Sequence, residues 1–268
     1  MEYIKYAILG IIQGITEPLP ISSSGHLLIF RNLFNTQMFN DLNFEIVVNF
    51  ASFLAILFIF RKDIITLIKG FFGFIFKDKK KNAATFKYCM QIVVSTIPVG
   101  IIGLIFKDKI ENLLATPRII GFAFLITAIA LFVIKNIKGE KSDKDITFKD
   151  AILIGLLQAV ALFPGISRSG TVLVGCLLRN FKRTTALKYT FIMYFPVSIA
   201  SFGLSAIDII KDNTLNSVLA PYMIGFICSL VVTYFAYLWL SKIVEKGKVW
   251  KFSIYCLLMG LFTLIYFR

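Results

Sequence analysis

Two short stretches concentrate reactive residue types inside otherwise apolar sequence. The first, QGITEPLPISSSGH (residues 13–26), carries Gln13, Glu17, three consecutive serines and the only histidine of the chain, His26. The second, PGISRSGTV (residues 164–172), carries Ser167, Arg168, Ser169 and Thr171. Ser22-Ser23-Ser24-Gly25 and Ser167-Arg168-Ser169-Gly170 each follow a proline and precede an apolar run. That is the composition of a helix N-terminus with free backbone N–H groups, a ready anion site. Serine hydroxyls add donors, and the Arg168 guanidinium adds a fork that matches phosphate oxygens. A phosphate is the anion such tips suit best.

Glu17 and Arg168 sit mid-run, where their charges cannot easily reach water. Such residues are costly and functional by default; the plainer alternative is an ion pair that only ties two segments together. Ser23 reads as a nucleophile, or as a binding group beside an activated water. His26 follows it by three residues at the start of a helix, a spacing that puts both on one face, and an imidazole suits proton transfer near neutral pH. Glu17 either orients His26 or binds a divalent cation.

The elements that must position these groups are membrane helices. Hydrophobic residues make up 57% of the chain and charged ones 16%, against about a quarter charged in soluble domains. The apolar residues come in long runs, without the alternation a transmembrane barrel needs. Six stretches read as spans: Phe44–Phe60, Tyr88–Phe106, Ile119–Ile134, Tyr189–Ile207, Val218–Leu240 and Phe252–Phe267. Two more apolar regions, Ile4–Phe30 and Ala151–Leu178, are broken by Pro, Gly and Ser. The segment Ile64–Phe76, in a basic loop, reads as a separate interfacial piece.

The two broken regions resemble each other. At a constant offset of 145, Gly10, Gln13, Ile21, Ser22, Ser24 and Gly25 match Gly155, Gln158, Ile166, Ser167, Ser169 and Gly170. Each region precedes three spans, an odd number, so a duplication must be inverted. The predicted fold is an all-α membrane domain: repeat 1 over residues 1–140, with a re-entrant hairpin at about 4–30, and repeat 2 over 150–268, with a hairpin at about 151–178. The hairpins meet at the membrane centre. With residues 61–87 cytoplasmic, the cytoplasmic loops hold 21 of the 29 Lys and Arg. Lys5, Arg31, Lys107, Lys109, Arg118, Lys211 and Arg268 fall on the other side, and Arg168 lies in the second hairpin. This follows the positive-inside rule and turns both termini outward.

The net charge of +14 is spread over short loops, which suits anionic lipid headgroups and not nucleic acid. Four cysteines (Cys89, Cys176, Cys228, Cys256) lie singly in apolar helices with no paired spacing, and a single histidine leaves zinc without a ligand set. Glu17, Pro18 and Pro20 interrupt the first apolar run before any small-residue cleavage site, so the N-terminus does not read as a signal peptide.

At residues 13–26 and 164–172 the chain resembles the undecaprenyl-diphosphatase family of the bacitracin-resistance type, which carries (E/Q)GxTEFLPxSSxGH and PGxSRSxxT motifs. Span number and motif spacing extend the resemblance over the whole length. Position 13 is Gln, Pro18 replaces the usual Phe, and Val172 stands where the second motif ends in Thr, beside Thr171. The resemblance implies removal of the terminal phosphate of undecaprenyl diphosphate, recycling the lipid carrier of cell-wall synthesis at the outer face of the bacterial plasma membrane. It implies a divalent cation, Mg²⁺ or Ca²⁺. It also implies Glu17, Ser23, His26 and Arg168 as essential residues, with Gln13, Ser22, Ser24, Ser167, Ser169 and Thr171 around the substrate. From the residues alone, an inverted-repeat transporter or flippase of lipid phosphate or another anion stays open as the alternative.

Overall fold

The computed structural model describes residues 2–34, 42–113, 116–210 and 215–267. The side chains of Lys107 and Lys109, and Lys211 and Arg268 altogether, lie outside the described residues, as do the side chains at the Ile207 and Val218 ends of two expected spans. The chain forms α1 (Glu2–Thr16), α2 (Ser23–Phe34), α3 (Leu42–Phe76), α4 (Lys79–Leu113), α5 (Pro117–Val133), α6 (Phe148–Val160), α7 (Arg168–Leu178), α8 (Arg183–Ile210), α9 (Leu215–Glu245) and α10 (Trp250–Tyr266). Among the described residues a 3-10 turn lies at Asp143–Asp145.

Each of the six expected spans falls on one helix: α3, α4, α5, α8, α9 and α10. Among the described residues, α3, α4 and α9 are long and apolar enough to cross a membrane, whereas α5 and α10 have 17 residues each. At 1.5 Å per residue those two reach only about 25 Å. Ile64–Phe76 is not a separate interfacial piece. It continues α3, because nothing between Phe44 and Phe76 breaks helical hydrogen bonding: the run has no proline, and its one close glycine pair, Gly70 and Gly73, packs on Thr85 and Asn82 of α4.

Both broken regions are helix–break–helix. Residues 17–22 separate α1 from α2, and residues 161–167 separate α6 from α7, with each pair of helices in contact. The second starts on a capping box, in which Thr147 accepts from the Asp150 backbone N–H and the Asp150 carboxylate accepts from the Thr147 backbone N–H. Asp150 is fully buried and also receives Lys141 (2.9 Å) and Arg179 (2.7 Å), so it pins both arms of the pair and the preceding loop.

Packing then crosses between the two halves. α1 lies on α9, α6 on α4, and α5 on α10. Small residues permit these approaches: a Cβ on Gly10 would collide with the Gly225 backbone, one on Gly14 would come within 2.8 Å of the Ser229 carbonyl, and one on Gly155 would strike the Ser95 carbonyl. Gly10 and Gly14, four apart on one face, face Gly225 and Ser229 in the small-xxx-small pattern of membrane helix pairs. Buried polar bonds lock the crossings. Ser229 donates to the Val48 carbonyl and Thr233 to Ser52 Oγ. The main apolar core runs through Ile29, Ile56, Ile120, Phe124, Leu131, Leu173 and Tyr189. Outward faces carry Phe58, Leu104, Ile129, Phe235 and Ile265 in the open, the apolar exterior of a membrane protein.

Candidate active site

The breaks of the two helix pairs abut. Ser169 Oγ donates to the Leu19 carbonyl at 3.1 Å, and a Cβ on Gly170 would sit 3.2 Å from Pro20. Their turns are built alike. Gly25 N–H donates to Ser22 Oγ (3.2 Å) and Gly170 N–H to Ser167 Oγ (3.1 Å); Ser22 and Ser24 hydroxyls are 3.4 Å apart, as are those of Ser167 and Ser169. Each first serine thus satisfies a backbone donor that a helix start leaves open. The first turn needs Ser22 in the left-handed region (φ 68°), while the second places its left-handed residue at Gly165 (φ 89°), where no Cβ is strained.

Glu17 is the centre of the site. Its Oε2 accepts from Ser23 Oγ at 2.5 Å and from Gln13 Nε2 at 3.0 Å, and its Oε1 pairs with Arg168 Nη2 at 2.9 Å. Gln13 Nε2 also donates to Asn49 Oδ1 on α3. Arg168 lies over the Tyr194 ring, 4.5 Å from its centroid, so the guanidinium is held by a carboxylate at its edge and an aromatic face below. Glu17, Ser23, Asn49, Arg168 and Tyr194 line a cavity of about 360 Å³, bordered also by Ser22, Ser24, Ser167, Ser169 and Gln158. On α8, Tyr194, Ser198 and Ser201 recur at helical spacing along its wall.

Of the residues expected at the site, Gln13, Glu17, Ser22, Ser23, Ser24, Ser167, Arg168 and Ser169 come together. His26 does not join them. It is buried; its Nδ1–H donates to the Ser22 carbonyl (2.7 Å), since a carbonyl only accepts, and its Nε2 then accepts from Tyr255 O–H on α10 (2.7 Å). Its ring stacks on Tyr255 and meets Phe124 edge-on. The expected sharing of a face with Ser23 fails because the imidazole is drawn between α5 and α10, while Ser23 turns to Glu17. Thr171 likewise bonds back, to the Ser167 carbonyl at 2.8 Å, and does not line the cavity. A lone Asn in an apolar span, here Asn49, is a usable signal of an interhelical hydrogen bond; Tyr194 was not singled out, though a Tyr-x3-Ser-x2-Ser stripe within such a span is a usable signal as well.

A hard cation takes oxygen ligands, and Mg²⁺ commonly uses one or two carboxylates with the rest from water and phosphate. Among the described residues no group of three or more His, Cys, Asp or Glu side chains could enclose a metal. Glu17 supplies one carboxylate, and Gln13 Oε1 is a buried oxygen with no hydrogen-bond partner beside it. That donor set fits a cation completed by phosphate oxygens and does not fit an all-protein cage.

The family model described as bacitracin resistance protein BacA matches residues 6–262. The chain is 43% identical over 263 residues to undecaprenyl-diphosphatase 2 of Bacillus thuringiensis (strain Al Hakam), covering 98% of this chain and 97% of the relative. It is 43% identical over 265 residues to the undecaprenyl-diphosphatase of Oceanobacillus iheyensis, covering 98% and 96%. It is 40% identical over 261 residues to undecaprenyl-diphosphatase 1 of Halalkalibacterium halodurans, covering 97% and 95%. With the match running through both motif-bearing turns, the chain belongs to the bacitracin resistance protein BacA family.

Proposed function

We propose that this protein is a membrane phosphatase that hydrolyses undecaprenyl diphosphate to undecaprenyl phosphate and inorganic phosphate, recycling the carrier lipid and thereby resisting bacitracin. The observation that carries the reading is one carboxylate, Glu17, holding the Ser23 hydroxyl on one oxygen and the Arg168 guanidinium on the other at the wall of the cavity.

Arg168 commits Nη2 to Glu17, and the rest of its fork is the donor set for phosphate oxygens. Ser23 Oγ attacks the terminal phosphorus while its proton passes to Glu17. The bond from that phosphorus to the bridging oxygen breaks, undecaprenyl phosphate leaves, and water cleaves the phosphoserine to regenerate Ser23. In the one-step variant Glu17 takes the proton of the attacking water and Ser23 only orients it. Positioning and charge neutralisation do most of the work in either route. Glu17 and Gln13 Oε1 are the residues that would hold Mg²⁺ or Ca²⁺. When bound, such a cation supplies positive charge for the diphosphate oxygens. His26 is a positioning residue: its bond to the Ser22 carbonyl holds the left-handed turn that delivers Ser23.

The proposed setting is an inverted repeat, residues 1–140 and 150–268, in the bacterial plasma membrane. The two helix pairs are re-entrant hairpins, six helices span, both termini face outward and the cavity opens to the outer side. The matched turn bonds support the repeat, as does the exchange in which α1 packs on the second half's α9 and α6 on the first half's α4. The uneven Lys and Arg distribution supports the orientation.

The test is phosphate release from a polyprenyl diphosphate by purified protein in detergent. Release by wild type that vanishes in Ser23→Ala and Arg168→Ala is the expected result. Intact lipid-phosphate binding without release by wild type overturns hydrolysis and leaves the carrier.

A further inference from the structure

We infer that Gln158 is a substrate-binding residue that donates from its side-chain amide to a phosphate oxygen of the diphosphate headgroup. This rests on the phosphatase reading of the same cavity and adds a group to it.

Gln158 is 1% exposed, lines the cavity, and its Nε2 has no hydrogen-bond partner among the described residues. A buried amide donor left unpaired is expensive, and a group taken up by the cavity that Gln158 lines can supply its acceptor. The offset of 145 shows why the protein itself supplies none. Gln158 is the counterpart of Gln13, whose Nε2 reaches Glu17 one turn ahead. One turn ahead of Gln158 stands Leu162, which also lines the cavity and accepts nothing. The two glutamines therefore have opposite needs: Gln13 leaves an oxygen unpaired and Gln158, on the cavity wall, a nitrogen. The same cavity is lined by further side chains that can donate, among them Ser167, Arg168 and Ser169. A ligand group rich in acceptor oxygens and negative charge fits that wall, and the diphosphate is such a group.

The test measures binding of farnesyl methylenediphosphonate, whose bridging carbon cannot be cleaved, to full-length protein in detergent. It is run beside phosphate release from farnesyl diphosphate. Gln158→Leu keeps the volume and removes the donor; Gln158→Glu keeps the shape and replaces the donor with an acceptor. A hydrogen bond to a charged partner predicts analogue affinity weakened about tenfold in Gln158→Leu and further in Gln158→Glu. KM should rise in parallel while kcat stays within about threefold, a split that a packing role would not produce. Should Gln158→Leu fail to fold, the isosteric Gln158→Glu carries the measurement alone. Analogue affinity equal to wild type in a folded Gln158→Glu protein overturns the inference. A wild type that binds the analogue without releasing phosphate overturns the phosphatase reading and leaves Gln158 standing. A wild type that does not bind it overturns both.

Discussion

The breaks in α1–α2 and α6–α7 form one turn twice and mount different chemistry on it. Ser22 and Ser167 cap their helices with the same bond, and Ser24 and Ser169 stand at the same distance from them. His26 and Thr171 occupy matched positions and make matched bonds, back to the Ser22 and Ser167 carbonyls. Two of the positions that differ meet in the cavity: Ser23 against Arg168, and Glu17 against Leu162. In the proposed mechanism the repeated serines hold the backbone, and the unmatched Glu17, Ser23 and Arg168 react. In that proposal the histidine, the most obviously catalytic residue type in the chain, belongs to the scaffold.

The sharpest way to break this contrast is at its unmatched members. Ser23→Ala and Glu17→Gln should each lower kcat for phosphate release by about a thousandfold or more, with the folded state intact by circular dichroism. Activity within tenfold of wild type in either would mean the cavity does its chemistry without them. Arg168→Lys keeps the charge and loses the planar fork, so a loss of about a hundredfold is expected in kcat/KM; a variant near wild type would show that charge alone suffices.

His26→Asn tests the matched member. An amide nitrogen can replace the Nδ1–H bond to the Ser22 carbonyl, so release should stay within about tenfold, with an unchanged pH–rate profile. A thousandfold loss, or a missing limb of the profile, would restore the imidazole to the reaction.

The bases of the two helix pairs differ as well. Asp150 clamps Lys141 and Arg179, whereas the offset puts Lys5 and Phe34 at the corresponding places. Burial alone would push the Asp150 carboxyl up. Bonds from Lys141, the Thr147 backbone, Arg179 and the Thr147 hydroxyl outweigh it and hold it at about 2. A depressed carboxyl stabilises the fold above its ordinary value near 3.8 and loses that contribution as the pH falls towards 2, about 2 kcal/mol in all. Asp150→Asn should therefore lower the melting temperature in detergent at pH 7 and leave kcat unchanged, with the difference from wild type closing below pH 3. A variant as stable as wild type at pH 7 would remove the clamp from the account. The smallest effect is expected at Gln13→Glu. A second carboxylate should cut the Mg²⁺ concentration for half-maximal release several-fold; no change would place the cation elsewhere.

Much of the site was legible because membrane burial makes polar residues conspicuous. Glu17 and Arg168 stand out as charges with no route to water, and the Gln…Ser-x-Ser-Gly frame occurring twice predicts that the two tips meet. A lone Asn in an apolar span reads as an interhelical hydrogen bonder, and Asn49 accepts from Gln13. The expectation that His26 shares a face with Ser23 failed because spacing of three residues places two Cα atoms on neighbouring helix faces without saying which way a ring turns. Its partner Tyr255 lies 229 residues away, on a helix whose position relative to α2 no local pattern encodes. Tyr194 beneath Arg168 escaped notice for the same reason.

The amino-acid sequence by itself determined the class, the helices, their breaks and the residue types at the tips, since hydropathy, proline and serine act locally on backbone hydrogen bonding. Tertiary structure alone decided the lengthening of α3 against α4, the sharing of Glu17 between Ser23 and Arg168, and the turning of His26 towards Tyr255. Those outcomes depend on which surfaces pack against each other. In helices this close, held by glycine-to-backbone contact, a side chain goes where a partner and a space coincide.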